Sequence, residues 1–152
     1  SKNEIDLAKK IMSRKIILPV DVIVSKKKDG SGRPAAKKIG KVNKNEIIFD
    51  IGPETIKLYT SLIKKAKTIV WNGPLGKYEF EHFRHGTLAV ARVVAARSGG
   101  LVFGVVGGGE TIEALNMTKM ASYVDWISSG GGAMLSFLGG EKMPGLEGLV
   151  KN

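Results

Sequence analysis

Three short stretches of this chain suit chemistry done by backbone rather than by side chains: Trp71-Asn72-Gly73-Pro74, Gly107-Gly108-Gly109-Glu110-Thr111 and Ser128-Ser129-Gly130-Gly131-Gly132. Glycine removes the Cβ that would hold a ligand away from main-chain N–H groups. A helix opening at such a turn adds unpaired donors and a partial positive charge of about half a unit, which suits phosphate. A triple glycine equally suits a tight strand-to-helix turn with no ligand, and one run alone leaves both readings open. Two runs on one rim shift the balance toward a ligand. Neither fits G-x-x-x-x-G-K-[ST] or a full G-x-G-x-x-G, so this is not a Walker loop or a dinucleotide fingerprint. Glu110 would repel a phosphate unless a cation lay between them, and Mg²⁺ is commonly held by one or two carboxylates plus substrate phosphates. The same carboxylate would also favour a bare helix N-terminus, and spacing does not separate the two readings.

The elements that must position these turns alternate between helical and strand patterns, the signature of an α/β sheet with crossover helices. Asn3 suits an N-cap for a helix with Leu7, Ala8, Ile11 and Met12 on one face. A continuous apolar run over 16–24 predicts a strand buried on both faces. A charged loop tip follows over 26–33, then a small antiparallel excursion over 36–42 and 46–51. Pro53 suits a first helical position, with Ile56, Tyr59, Leu62, Ile63 and Ala66 as the buried stripe. Strands are predicted over 68–71, 101–106 and 123–127, and helices over 81–97, 110–115 and 133–138. Strands 16–24, 68–71, 101–106 and 123–127 are each followed by a crossover, which implies parallel neighbours. Their C-terminal ends would then form one rim, outside which ligands bind in such sheets.

Composition sets the outer bounds. The 152 residues suffice for one domain with a core. There is no cysteine, hence no disulfide or thiolate metal site. No apolar run is long enough to span a bilayer and no leader pattern is visible, so a soluble, cytoplasmic protein with no membrane partner is expected. The net charge of +10 is uneven: residues up to Lys67 hold 17 Lys and Arg against 7 Asp and Glu, and the remainder 7 against 7. The clusters Lys26-Lys27-Lys28 and Lys64-Lys65 with Lys67 read first as a solvated face. The competing reading is a basic, non-enzymatic module for nucleic acid or another polyanion. No aromatic interleaving of a recognisable nucleic-acid motif accompanies the clusters, and nucleic acid is not the expected partner.

The stretch WNGPLGKYEFEHFRHGT (71–87), GGGET (107–111), SSGGGA (128–133) and LPVDVIVS (18–25), with DIGPE (50–54) and the ending MPGLEGL, resembles phosphoglycerate kinase in motif order and spacing over essentially the whole chain. The resemblance is to the C-terminal, nucleotide-binding part alone. It implies a partial Rossmann-like parallel sheet over 1–138 and, over 139–152, a C-terminal segment that would pack on an N-terminal domain. It further implies the cytoplasmic glycolytic phosphotransfer between ATP with 3-phosphoglycerate and ADP with 1,3-bisphosphoglycerate, with Mg²⁺ as cofactor, in a usually monomeric parent. The 3-phosphoglycerate would bind only with the N-terminal domain, so the chain alone is not expected to turn over.

Residue by residue, the resemblance assigns Glu79 to the ribose hydroxyls. It assigns Gly108, Gly109, Glu110 and Thr111 to the nucleotide phosphates and metal, and puts Asn72 near the phosphate chain. Pro74 and Leu75, with Ile48 and Phe49 opposite, would flank the adenine. Gly130, Gly131 and Gly132 would begin a helix aimed at the transferring phosphoryl group. Two positions depart from the family pattern: Glu110 stands where Asp is usual, and Lys77 where an apolar residue such as Val is common. His82 and His85, the only histidines, are spaced for a metal pair on a helix, but the family has no metal there and an exposed surface is the expected reading. Trp71, Trp126, Tyr59 and Phe83 are expected in the core.

Overall fold

The computed structural model describes residues 2–100 and 102–147. Helix α1 (Lys2–Ile11) precedes three strands, β1 (Asp21–Ser25), β2 (Ala35–Lys38) and β3 (Ile47–Ile51), which form an antiparallel sheet of order β2-β1-β3. The expected antiparallel excursion is therefore present, but the strand predicted over 16–24 is corrected on two counts. It begins at Asp21, and it pairs antiparallel with both neighbours. A parallel connection needs a dozen or more residues, and 26–34 are too few, so a hairpin is what this loop can make. Ile16, Ile17 and Leu18 stay outside the sheet and exposed.

Helix α2 (Pro53–Ile63) opens with its proline in the first turn, where the missing N–H is harmless. Of its expected stripe, Ile56, Tyr59 and Ile63 are half-buried while Leu62 is exposed. The second sheet contains β4 (Thr68–Asn72), β5 (Phe103–Gly107) and β6 (Trp126–Ser128), all parallel in the order β4-β5-β6. Three of the four strands expected to run parallel do so, although the one expected over 123–127 begins at Trp126, because Tyr123 closes a 3-10 turn at Ala121–Tyr123. The expected start of the third, Leu101, lies outside the described residues. Helix α3 (His85–Arg97) follows a 3-10 turn at Glu81–Phe83, so it opens at His85 rather than Glu81. Helices α4 (Gly109–Met117) and α5 (Gly131–Leu138) spring from the two glycine turns, and α6 (Pro144–Glu147) follows. The remainder of the C-terminal segment, 148–152, lies outside the described residues.

The apolar core fills the space between β4–β5 and helices α3 and α4. It contains Ile69, Trp71, Val90, Ala91, Val94, Val106, Ala114 and Leu115. Full burial of a Val or Leu side chain is worth about 1.5–3 kcal/mol, so this cluster fixes the parallel sheet and hence the relative height of its strand ends. Helix α3 bridges the two sheets, touching β3 and α2 on one side and β5 and α4 on the other. Trp71 and Phe83 are core residues as expected, and Tyr59 is half-buried. Trp126 is not: it is 62% exposed and stands in register with Val105 and Val70 on the sheet face away from the core. Leu7, Ile11 and Met12 on or just after α1 are exposed as well.

Candidate functional site

The parallel register brings Asn72 beside Gly107 and Gly107 beside Ser128, so β4, β5 and β6 end side by side and their loops leave the same edge. Gly108 adopts φ +93°, a conformation that side-chain-bearing residues rarely reach. The second glycine turn packs on the first: a Cβ at Gly131 would fall 2.6 Å from the backbone Cα and N of Gly108 and 2.9 Å from Asn72 Nδ2. The Asn72 amide donates to Gly131 O at 3.4 Å, and the Gly73 N–H donates to Thr111 Oγ1 at 2.7 Å. These contacts join all three loops. By contrast, nothing lies within 4 Å of a Cβ built at Gly109 or Gly132.

No side chain among the described residues caps either helix at this rim, where Gly108 and Gly130 stand at the N-caps of α4 and α5. The N–H groups of both first turns are therefore left to solvent or to an external anion. Glu110 lies in the first turn of α4 and is exposed. A single carboxylate at the mouth of a glycine turn fits a cation such as Mg²⁺, which completes its coordination with water and phosphate oxygens. The Thr111 hydroxyl, expected to meet phosphate, is buried and accepts the Gly73 N–H, which holds the loop in place.

Beside the rim, a cavity of about 430 Å³ runs between β3 and the Pro74–Lys77 turn, with Ile48, Phe49, Pro74, Leu75 and Lys77 in its walls. Ile48 is exposed there, but the Phe49 ring is 2% exposed. It stacks on Phe83 at 4.5 Å and meets Phe80 edge-on at 5.9 Å. Lys77 donates its N–H to Phe49 O at 2.7 Å and holds its ammonium 5.5 Å from the Phe49 ring centre. The side chain that departs from the family pattern thus closes over the aromatic cluster. Glu79 is exposed between two anchors. On one side Tyr78, buried, donates its hydroxyl to Glu113 at 2.9 Å, and burial together with that carboxylate pushes it up to about 12. On the other, Phe80 joins the aromatic cluster.

Four supporting residues lie outside the expected site. Asp50, buried on β3, accepts the N–H groups of Gly86 and Ile51, each at 2.8 Å; burial pushes its carboxyl up although both hydrogen bonds and His85 oppose the shift. Thr87, fully buried on α3, accepts the N–H groups of Leu75 and Gly76 at 3.1 and 3.2 Å and so fixes the cavity wall. Asp21 and Thr55 join β1 to the start of α2: Asp21 accepts the N–H groups of Glu54 and Thr55 at 3.0 and 2.7 Å and the Thr55 hydroxyl at 2.6 Å. An aspartate inside an apolar run, followed far along the chain by Gly-Pro, is the one clue that could have marked Asp21. His82 and His85, both exposed, border a separate apolar cavity of about 350 Å³ with Ile23, Pro34, Ile51 and Ile56.

Fold and site together define an α/β protein in which parallel strands end at glycine-started helices open to an anion. The phosphoglycerate kinase family model matches residues 1–141, and the chain belongs to that kinase family. It is 42% identical over 149 residues to a phosphoglycerate kinase of Clostridium kluyveri, covering 98% of this chain and 36% of that protein. It is 41% identical over 155 residues to one of Koribacter versatilis, covering 97% of this chain and 38% of that protein. Among solved structures it resembles phosphoglycerate kinase from Coxiella burnetii, with TM-score 0.77, 40% identity, and 92% and 35% of the two chains covered. It also resembles that of Pyrococcus horikoshii, with TM-score 0.75, 33% identity, and 96% and 36% covered. The chain thus spans little more than a third of the length of these relatives. No helix among the described residues is long and apolar enough to cross a membrane.

Proposed function

We propose that this chain carries part of the ATP/ADP site of a phosphoglycerate kinase and that the cytoplasmic parent enzyme runs the glycolytic transfer between ATP with 3-phosphoglycerate and ADP with 1,3-bisphosphoglycerate. The observation that carries the reading is the gathering of the Asn72, Gly108 and Gly131 loops at one sheet edge, with two uncapped helix starts among them. Backbone N–H groups of Gly109 to Thr111 receive the nucleotide phosphates, and Glu110 would hold Mg²⁺. Ile48, Pro74 and Leu75 border the base, with the Phe49 cluster behind them, and Glu79 takes the ribose. Gly130 to Gly132 start a helix whose positive end faces the transferring group.

Such a transfer needs positioning and charge neutralisation more than a protein nucleophile. A bound Mg²⁺ would supply neutralisation of phosphate charge; this chain supplies fixed donors that need no reorganisation. The 3-phosphoglycerate is assigned to an N-terminal domain of the parent, so this chain alone has no turnover. Calorimetric titration with ADP tests the reading: MgADP should bind saturably, and Glu110→Gln should remove most of the Mg²⁺ dependence while leaving weak ADP binding. No saturable binding at millimolar MgADP by a folded chain would overturn it.

A further inference from the structure

A separate cavity of about 480 Å³, apart from the glycine rim, opens at the tip of the β1–β2 hairpin, where Lys26, Lys27, Arg33 and Glu46 line walls that are otherwise largely apolar, Val24 and Pro34 among them. Its volume lies in the range of small-molecule sites, roughly 300–1,000 Å³. Lys26, Lys27 and Arg33 make no ion pair among the described residues. The carboxylates nearby are engaged: Glu46 with Lys37 Nζ at 2.7 Å and the Asn43 N–H at 2.8 Å, Asp29 with the Ser31 N–H at 3.0 Å and hydroxyl at 2.8 Å. Asp29 also feels the Lys27 charge. Of the charged groups in the lining, Glu46 is already paired with Lys37, so the three cations leave the excess positive.

The cationic side chains of this tip are exposed, but its backbone is packed. Gly30, at φ +74°, lies against the Phe80 ring so closely that a Cβ would overlap it, and Gly32 is packed in the same way on Ser25 Oγ. Ser25 itself is buried and accepts the Lys27 N–H at 3.3 Å. The loop is therefore held at both ends, and its cations are presented on a fixed frame, which lowers the ordering cost of binding. Lys26 and Lys27 follow the end of β1 and Arg33 precedes the start of β2, so cations from both arms of the hairpin line one cavity, an arrangement suited to an anion with more than one charged group.

From this we infer that the hairpin tip is a binding site for a small anion bearing two or more phosphoryl groups, distinct from the glycine rim. The test titrates the full chain with inorganic tripolyphosphate while following backbone amide resonances, with orthophosphate as comparator. Tripolyphosphate should shift residues 26–35 saturably and orthophosphate far less. Lys27→Gln combined with Arg33→Gln should weaken binding about tenfold or more with the thermal unfolding curve unchanged, while Lys64→Gln combined with Lys65→Gln should leave it intact. Equal weakening by both double variants would mean general charge attraction and overturn the site. Shifts confined to 72–74, 107–111 and 130–132, or no saturation, would do the same.

Discussion

Around the antiparallel sheet the helices begin on the chain's own carboxylates. Asp21 takes two N–H groups and a hydroxyl at the start of α2, and Asp50 takes the Gly86 N–H at the start of α3. Around the parallel sheet α4 and α5 begin on Gly108 and Gly130, with no side-chain cap. Every helix N-terminus offers the same unpaired donors and partial positive charge. What differs is whether the fold itself supplies a negative charge to meet them: in one half it is internal and buried, and in the other no side chain among the described residues supplies it. One half thus closes its helix starts from within the fold, and the other leaves them open, as the proposed nucleotide site requires.

The comparison breaks most visibly if the internal anion is removed. Asp21→Ala deprives Glu54, Thr55 and the Thr55 hydroxyl of their acceptor and should cost about 2–4 kcal/mol in urea unfolding near neutral pH. Burial alone would raise the Asp21 carboxyl, but the Thr55 hydroxyl, the Glu54 and Thr55 N–H groups and Lys38 outweigh it and lower it. A lowered folded value means that the stabilisation is present above the unfolded value of about 3.9 and is lost as pH falls through the folded one. The penalty of Asp21→Ala should therefore shrink toward acid. Asp50 is raised, so its contribution has the opposite sense: full below about 3.9 and lost as pH rises through its folded value. A penalty that stayed constant from neutral pH into acid would mean that Asp21 acts through packing rather than charge.

The open half is broken by packing. Gly131→Val would drive its Cβ into the backbone of Gly108 and the Asn72 amide. Backbone cannot rotate aside as a long side chain can, so the loops must separate. A loss of about 1–3 kcal/mol is expected, together with MgADP binding, read by thermal unfolding and calorimetry on the same sample. Retention of both would show that the three loops are not a single unit.

The contrast between the halves also explains what could be read in the sequence. Apolar runs ending in glycine turns, at 68–71, 101–106 and 123–127, gave strands whose direction followed from the crossovers between them, and the rim followed from the direction. The run over 16–24 has the same β-branched character, yet its pairing is decided by the short 26–34 loop and by partners on both sides, which composition does not express. Trp126 and the α1 residues Leu7 and Ile11 misled or said little because apolarity marks a face without naming what covers it. Asp21 and Asp50 went unmarked as caps because each accepts from N–H groups supplied largely by distant segments. Glycine turns are legible since glycine has few reasons to repeat, whereas an aspartate has many reasons to occur once.

The smallest expected change in stability sharpens the contrast furthest. Gly109 is the first residue of α4, its φ is outside the left-handed region, and a Cβ there meets no atom within 4 Å. Gly109→Val should therefore leave the unfolding free energy within about 0.5 kcal/mol of the parent. The same methyl groups would stand in front of the N–H groups of the first turn, where a phosphate must approach to hydrogen-bond distance. Losing one charge-assisted hydrogen bond of that kind costs about 1.5–3 kcal/mol, so MgADP affinity should fall about tenfold or more. Unchanged affinity in this well-folded variant would mean that the first turn of α4 does not contact the nucleotide. The missing side-chain caps at α4 and α5 would then be nothing more than the geometry of two tight turns.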